Sequence, residues 1–518
     1  MCIDRFDYSD YSFDCIGLSR NHLEFYSITI DKEAEPMVYV RDRQSANGTF
    51  VNGSLIGRSS GVTPGRLLDD GDIITSKAKW HFRVKLLAMK RMPLSTIQRA
   101  EAKFFSSQYI ISDMVLGSGT STTVRLAHDV TTGQQLACKV YDLRVRMSYM
   151  FSGEVMAIMR AVDLTTSLDH PNISSLKCAY KSRHTLFVFE ELAAGGDLYS
   201  LVCGRPRLTE LEVKWMLRQM LSGLQYLHAK GIAHRDIKLE NVLLCVCQNP
   251  AHRIALTDFG HAEVMPKGGS LKSGAGTPGW QAPELFHEGR AHGLAVDMWS
   301  MGMVAVQLLI GRCQSRTMNK IEDTLPAEPD IKTLDFKSVF DEIYEIRHEL
   351  ISDGSPREDF IHRCLECDPD KRLTVNEALE HPYINEPAGV RQRFERSAQQ
   401  TTAGWTSRIA RAEIQVLPDV LRPPPSFANG IKEQIEPKMF IHEKKGALEE
   451  DIEYLKSPHF KFTKALDTKS AQFDKDEERV ESCTKRARSD EAEEKEESCS
   501  KRARSDEAEE KEESCTKQ

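Results

Sequence analysis

At 518 residues with a formal net charge of −8, the chain is long enough for roughly three domains of about 150 residues each, and its acidic balance argues against a surface built to bind nucleic acid directly. Hydrophobic residues make up 40% and charged residues 28%. No apolar run reaches the ~18 residues of a membrane span, and Met1-Cys2-Ile3-Asp4-Arg5-Phe6-Asp7 has no basic region leading into an apolar stretch, so neither a span nor a secretory leader is expected.

Residues 1–90 alternate short apolar runs, at 25–30, 37–40, 49–51 and 82–87, with Asn-Gly, Ser-Gly, Pro-Gly and Asp-Gly turn signals, which predicts an all-β module. Ser19-Arg20-Asn21-His22 is followed by Asn47-Gly48-Thr49-Phe50-Val51-Asn52-Gly53 and then by Leu68-Asp69-Asp70-Gly71-Asp72-Ile73-Ile74. In order and spacing these resemble a forkhead-associated domain, a β-sandwich that binds phosphothreonine peptides through its loops. The resemblance implies that Ser19 and Arg20 contact the phosphate, that Asn47 holds the peptide backbone and that His22 braces the loop. Hairpin turns and a surface Ser-Arg pair are the plainer reading of the same residues. The family also carries a Gly-Arg pair further upstream, and no Gly precedes Gly17, so the first strands are expected to be missing and the module N-terminally incomplete.

Residues 91–108 read as a polar linker. Leu116-Gly117-Ser118-Gly119, running on to Val124, then predicts strand, Gly-rich turn and strand, where the glycines let backbone N–H groups approach phosphates without a Cβ in the way. Leu136-Ala137-Cys138-Lys139-Val140 follows at the distance of the next strand. A helix with Phe151, Val155, Ile158 and Val162 on one face carries Glu154. Leu186–Phe189 is a β-branched and aromatic run that ends in Glu190-Glu191-Leu192-Ala193-Ala194-Gly195-Gly196-Asp197. Thr209 with Glu212 forms a capping box for a helix whose stripe runs from Val213 to Leu227 and which Gly231 ends.

That helix delivers the chain to Ile232-Ala233-His234-Arg235-Asp236-Ile237-Lys238-Leu239-Glu240-Asn241, with Asp258-Phe259-Gly260 downstream. An Asp to accept a hydroxyl proton, a Lys to neutralise a transferring phosphoryl group and an Asn to ligate a metal are what phosphoryl transfer needs close together. With Gly276-Thr277-Pro278-Gly279-Trp280, Ala282-Pro283-Glu284, Asp297-Met298-Trp299-Ser300-Met301-Gly302 and Asp368-Pro369-Asp370-Lys371-Arg372, residues 109–384 resemble the eukaryotic protein kinases.

The resemblance implies an ATP- and magnesium-dependent Ser/Thr kinase of α+β, two-lobed fold. Leu116, Gly117, Gly119, Val124 and Ala137 would enclose ATP, and Lys139 would hold its phosphates with Glu154 as ordering partner. Backbone groups of Glu191 and Ala193 would meet adenine, with Glu190 at the gatekeeper position. Asp236 and Lys238 would be catalytic, with Arg235 awaiting a partner from the activation segment 261–276, where Ser270 and Ser273 are the only hydroxyls. Asn241 and Asp258 would hold Mg2+. Thr277 would meet Lys238 and Asp236, and Glu284 would pair with Arg372. Asp197 and Glu240 would select a substrate Arg three residues before the phosphoacceptor.

Thirteen cysteines are scattered, and the pairs Cys245/Cys247 and Cys364/Cys367 lack the second pair of a zinc site, so reduced thiols are expected. Beyond 384 hydrophobicity falls. Residues 385–480 read as a low-order tail, and 481–512 is a tandem repeat of period 16 with Lys-Arg-Ala-Arg at 485–488 and 501–504, similar to nuclear import signals. Residues 481–518 hold 9 basic and 13 acidic side chains, and such a segment cannot bury a core and is expected to be disordered or transiently helical.

The whole resembles the forkhead-associated checkpoint Ser/Thr kinases, most like their fungal meiosis-specific branch. That implies a nuclear enzyme acting on protein substrates and recruited by a phosphothreonine-bearing adaptor. The alternative is a phosphopeptide-binding scaffold with an inactive kinase fold. Intact Lys139, Asp236, Asn241 and Asp258 count against it, and Thr122 in place of a third loop glycine and the charged Glu190 count for it.

Overall fold

The computed structural model describes residues 2–4, 11–12, 18–19, 21–29, 36–58, 63–77, 80–86, 91–119, 122–146, 152–205, 208–246, 252–266, 271, 276–277, 280–286, 292–310, 354–385, 388–402, 405, 407 and 412–421. The N-terminal β module is a sandwich of two sheets. Strands Leu23–Ile28, Met37–Asp42 and Arg66–Leu67 lie in one sheet, and Thr49–Val51, Ser54–Gly57, Ile73–Ser76 and His81–Arg83 form the other. Alternation along the strands sends Leu23, Val40, Val51, Leu68 and Ile74 into the space between them, all fully buried. Two further strands, Cys2–Asp4 and Tyr11–Ser12, extend the first sheet, with Ile3 beside Leu23. The stretch expected to lack its first strands therefore contains two.

The small lobe is a sheet in the order Tyr109–Ser118, Thr122–Asp129, Gln135–Asp142, Thr185–Glu191, Leu176–Lys181 and Ile414–Val416. Helix Ser152–Thr166 packs on one face through Val155, Ile158 and Val162, as the helical spacing predicts. On the other face Phe105 stacks on Tyr180 at 4.4 Å and meets Phe187 and Phe189 edge-on. Phe105 belongs to the segment read as a linker, and that reading is corrected. Ser95 and Gln98 form a reciprocal capping box that starts helix Thr96–Ala102, and burying the Phe105 ring contributes about 1.5–3 kcal/mol.

The large lobe is built around helix Glu210–Ala229, whose Thr209/Glu212 capping box forms as predicted and whose face from Val213 to Leu227 is buried against helices Ala295–Ile310 and Val375–Glu380. Residues 385–480, expected to be low-order, carry two elements that the falling mean hydropathy concealed. Helix Ala388–Thr402 lays Val390 and Phe394, four residues apart, on Trp215. Strand Ile414–Val416 then adds in parallel to the small-lobe sheet beside Ala179–Lys181, with Leu417 entering its core and Asp419 meeting His184 at 3.1 Å.

Cys138, Cys178, Cys203, Cys245, Cys364 and Cys367 are free thiols. Among the described residues no helix is long and apolar enough to cross a membrane. Residues 481–518, with both import-like tetrads, lie outside the described residues.

Candidate active site and phosphopeptide loops

The loop after the central helix is held by a carboxylate that the motif reading left without a role. Fully buried Asp297 accepts from the backbone N–H of His234 at 2.9 Å and of Arg235 at 2.7 Å, and its Oδ2 lies 2.8 Å from His228 Nε2. Burial opposes its charge, but the His228 contact and the backbone donors outweigh that and keep its pKa low. The Asp-Met-Trp-Ser pattern at 297–300 was the signal for it. Arg235 adopts a left-handed backbone with φ 65°, a strained choice for a non-Gly residue that the Asp297 contacts over-determine.

Asp236 gathers the predicted partners. Its Oδ1 accepts from Thr277 Oγ1 at 2.6 Å and Thr277 N at 3.1 Å. Its Oδ2 accepts from Asn241 Nδ2 at 2.8 Å and lies 3.1 Å from Lys238 Nζ, which also donates to Thr277 Oγ1 at 2.6 Å. Burial pushes the Asp236 carboxyl up, yet the Thr277 bond and then the Lys238 charge overcome it, so it stays below the usual carboxylate range and is ionised at neutral pH. Thr257 N donates to the Asn241 carbonyl at 3.0 Å, which sets Asp258, the next residue, beside Asn241. Asp258 is itself left-handed, with φ 62°. The oxygen-bearing pair Asn241 and Asp258 is a donor set that suits a hard cation such as Mg2+.

In the small lobe Leu116, Gly117 and Gly119 lie on the first arm of the Gly-rich turn, Val124 pairs with Gly117 on the second and Ala137 is on the adjacent strand. A Cβ on Gly117 would meet nothing within 4 Å, so the backbone there is open to a ligand. Lys139 does not depend on Glu154 for a partner. Its Nζ lies 3.0 Å from Glu190 Oε2, a pairing that follows from the antiparallel register of the two strands, Lys139 opposite Val188 and Ala137 opposite Glu190. Burial lowers the Lys139 pKa, and the Glu190 carboxylate more than offsets this and holds the ammonium up. Glu154 is in the expected helix, with its side chain outside the described residues.

At the hinge, Glu191 Oε1 is paired with Arg253, and Ala193 O accepts from Gly196 N at 3.3 Å. Below it Asp197 caps helix Leu198–Gly204 through Ser200 N at 2.7 Å, and Glu240 occupies the short helix Leu239–Asn241. Burial pushes both carboxyls up, and the charge of Asp197 raises Glu240 further. Arg235 finds its partner in the activation segment, but the partner is a carboxylate: Glu263 Oε2 is 2.8 Å from its guanidinium. Ser270 and Ser273 lie outside the described residues.

In the N-terminal module Ser19 Oγ accepts from Ala46 N at 2.9 Å and Ser19 N donates to His22 Nδ1 at 3.1 Å, so the Ser19 and Asn47 loops are pinned side by side. His22 is fully buried against Trp80, and burial lowers its pKa. The second loop is organised by Asp42, missed in the sequence, which accepts from Ser45 N at 2.9 Å and Thr49 Oγ1 at 2.6 Å. Arg20 lies outside the described residues.

A protein kinase domain model matches residues 110–384, more than half of the chain, and a forkhead-associated (FHA) domain model matches residues 5–75. The chain belongs to the protein kinase family. It is a Ser/Thr protein kinase with an FHA domain. The kinase is 32% identical over 422 residues to the meiosis-specific serine/threonine-protein kinase mek1 of Schizosaccharomyces pombe, an alignment covering 79% of this chain and 84% of the relative. It is 29% identical over 388 residues to the probable serine/threonine-protein kinase fhkC of Dictyostelium discoideum, with 72% and 60% covered. To the calcium/calmodulin-dependent protein kinase type I of S. pombe it is 32% identical over 276 residues, with 52% and 77% covered. The kinase domain implies use of ATP and Mg2+ on protein substrates, and the FHA domain implies phosphothreonine-bearing partners.

Proposed function

We propose that this kinase transfers the γ-phosphate of ATP to Ser or Thr of nuclear proteins that carry Arg three residues upstream, in meiotic recombination or DNA-damage checkpoint control. Ionised Asp236 orients the substrate hydroxyl and receives its proton as the oxygen–phosphorus bond forms and the bond to the ADP leaving group breaks. Lys238, within reach of Asp236 and Thr277, turns to the γ-phosphoryl oxygens, and Lys139 takes the α- and β-phosphates. Asn241 and Asp258 would hold Mg2+, which would supply positive charge against the phosphates. Ser19, Arg20 and Asn47 read the phosphothreonine of the adaptor.

The observation that supports the Arg preference is the placement of Asp197, which bridges Leu243 just beyond the short helix of the catalytic loop that carries Glu240. Two carboxylates facing a guanidinium make charge-assisted bonds that Lys matches less well. With matched peptides differing only in Arg or Ala at that position, Glu240→Ala is expected to reduce the kcat/KM ratio about tenfold or more, the size of one lost charge-assisted bond. The pH response has a definite sign. Both carboxyls sit above their ordinary pKa, so they take up protons earlier than exposed carboxylates as pH falls. Arg selection is therefore full at pH 7.5 and declines on acidification. A ratio near one at pH 7.5, or one indifferent to Glu240→Ala, would refute the pocket.

Nuclear action is supported by the Lys-Arg-Ala-Arg tetrads at 485–488 and 501–504 and by the meiosis-specific name of one relative. Changing all six basic residues to Ala is expected to shift a fluorescent fusion from nucleus to cytoplasm. An unchanged distribution would leave the repeats as a solvated tail.

A further inference from the structure

We propose that the FHA module has a second binding face, remote from its phosphopeptide loops, which docks on the hinge and the Gly-rich strands of its own kinase domain and makes the module a fixed outer wall of the nucleotide cleft.

Strand alternation reveals the face. Leu23, Phe25, Val38 and Val40 point into the sandwich core. The intervening Tyr26, Ile28, Met37 and Tyr39 point the other way, where a sandwich standing alone would present them to water. Ile28, Met37 and Tyr39 are buried instead, with Tyr39 and Leu67 each 1% exposed, in one cluster with Met114, Leu126 and Ala194 of the kinase domain and with half-buried Tyr26, Leu116 and Leu192 packed at its edge. Leu116 and Leu192 belong to the Gly-rich strand and the hinge, so the cluster reaches both walls of the cleft mouth.

Polar contacts fix the register of the docking. Tyr26 Oη donates to Ala194 O at 2.8 Å, one residue past Ala193 in the hinge. The Gln135 amide acts as a short strand: its Nε2 donates to Leu67 O and its Oε1 accepts from Leu67 N, both at 2.8 Å. Arg91 bridges Asp69 of the module and Asp113 of the small lobe, the latter at 2.7 Å. One glycine marks the closest approach across the interface: a Cβ on Gly196, where φ is +74°, would lie 2.9 Å from Ile28 Cγ2.

The docked face occupies the Tyr26–Ile28 and Met37–Tyr39 ends of two strands, whereas Ser19, His22 and the Asp42–Asn47 loop sit at their opposite ends. Engagement of a phosphothreonine partner and docking are therefore compatible, and a partner captured by the module meets a catalytic cleft in fixed orientation.

The test uses the full-length protein carrying Met37→Asp, which places a charge in the docked cluster, and separately Gln135→Ala, which removes both bonds to Leu67. Hydrogen exchange followed by mass spectrometry is expected to quicken about tenfold or more in 112–117 and 192–197 for Met37→Asp, and in 66–68 for Gln135→Ala. The KM for ATP should rise severalfold in Met37→Asp, while affinity for a phosphothreonine peptide library stays within about twofold in both. If Met37→Asp unfolds the module, peptide binding is lost and Gln135→Ala decides alone. Wild-type exchange at the named segments in every variant that retains peptide binding would overturn the docking.

Discussion

Replacing Asp236 by Asn is expected to lower kcat about a hundredfold or more, within the range that a positioned general base contributes. The reason lies in how the carboxylate is surrounded. Each of its oxygens faces donors, Thr277 N and Oγ1 on one and Asn241 Nδ2 and Lys238 Nζ on the other, so an amide must set an NH2 against a donor whichever way it turns. The substitution removes the proton acceptor and loosens Thr277 and Lys238 together, while leaving the ATP-facing strands untouched. Peptide phosphorylation should therefore fall through kcat with little change in the KM for ATP. Turnover within a few-fold of wild type would refute the assignment of Asp236.

Arg372→Ala is expected to cost about 3–5 kcal/mol of stability, the penalty for leaving a buried charge without its partner. The side chains of Arg372 and Glu284 are 0% and 1% exposed, and the guanidinium makes two parallel bonds to the carboxylate at 2.8 and 2.9 Å. It also donates to Glu366 O and Ala295 O and lies 5.3 Å from the Trp299 ring, so truncation orphans two backbone carbonyls besides the acid. A fall in Tm on the order of 10 °C follows for a domain of this size. Arg372→Lys, which keeps charge and loses the fork, should fall between the two. A Tm within 2–3 °C of wild type for Arg372→Ala, a change of under ~1 kcal/mol, would contradict the pair's structural role.

What could be read from the sequence was what contiguous residues encode. The stripe from Val213 to Leu227, its Thr209/Glu212 cap and the catalytic loop needed only neighbours in the chain, and Asp236, Lys238, Asn241 and Thr277 come together as expected. Contacts set by strand register were not legible. Glu190 reaches Lys139 because two strands fifty residues apart pair in one alignment, while the helix carrying Glu154 announced itself by its own periodicity. Composition misled twice. Residues 91–108 are polar enough to pass for a linker, yet one aromatic, Phe105, anchors them; in 388–402 two apolar side chains four apart suffice to seat a helix on Trp215. The same limit hid the outer face of the FHA sheet, since its alternate residues are apolar on both sides and a two-sided strand gives no clue to what covers the second side.

The strand Ile414–Val416 also bears on where the enzyme can be cut for laboratory use. A recombinant fragment ending near residue 384, where the family match stops, would strip an edge from the small-lobe sheet and leave the backbone of Ala179–Lys181 to recruit another chain. It would also flood the slot that Leu417 fills. A fragment carried through Leu421 retains its own edge strand, and is the better starting material for crystals, inhibitor screens and calorimetry.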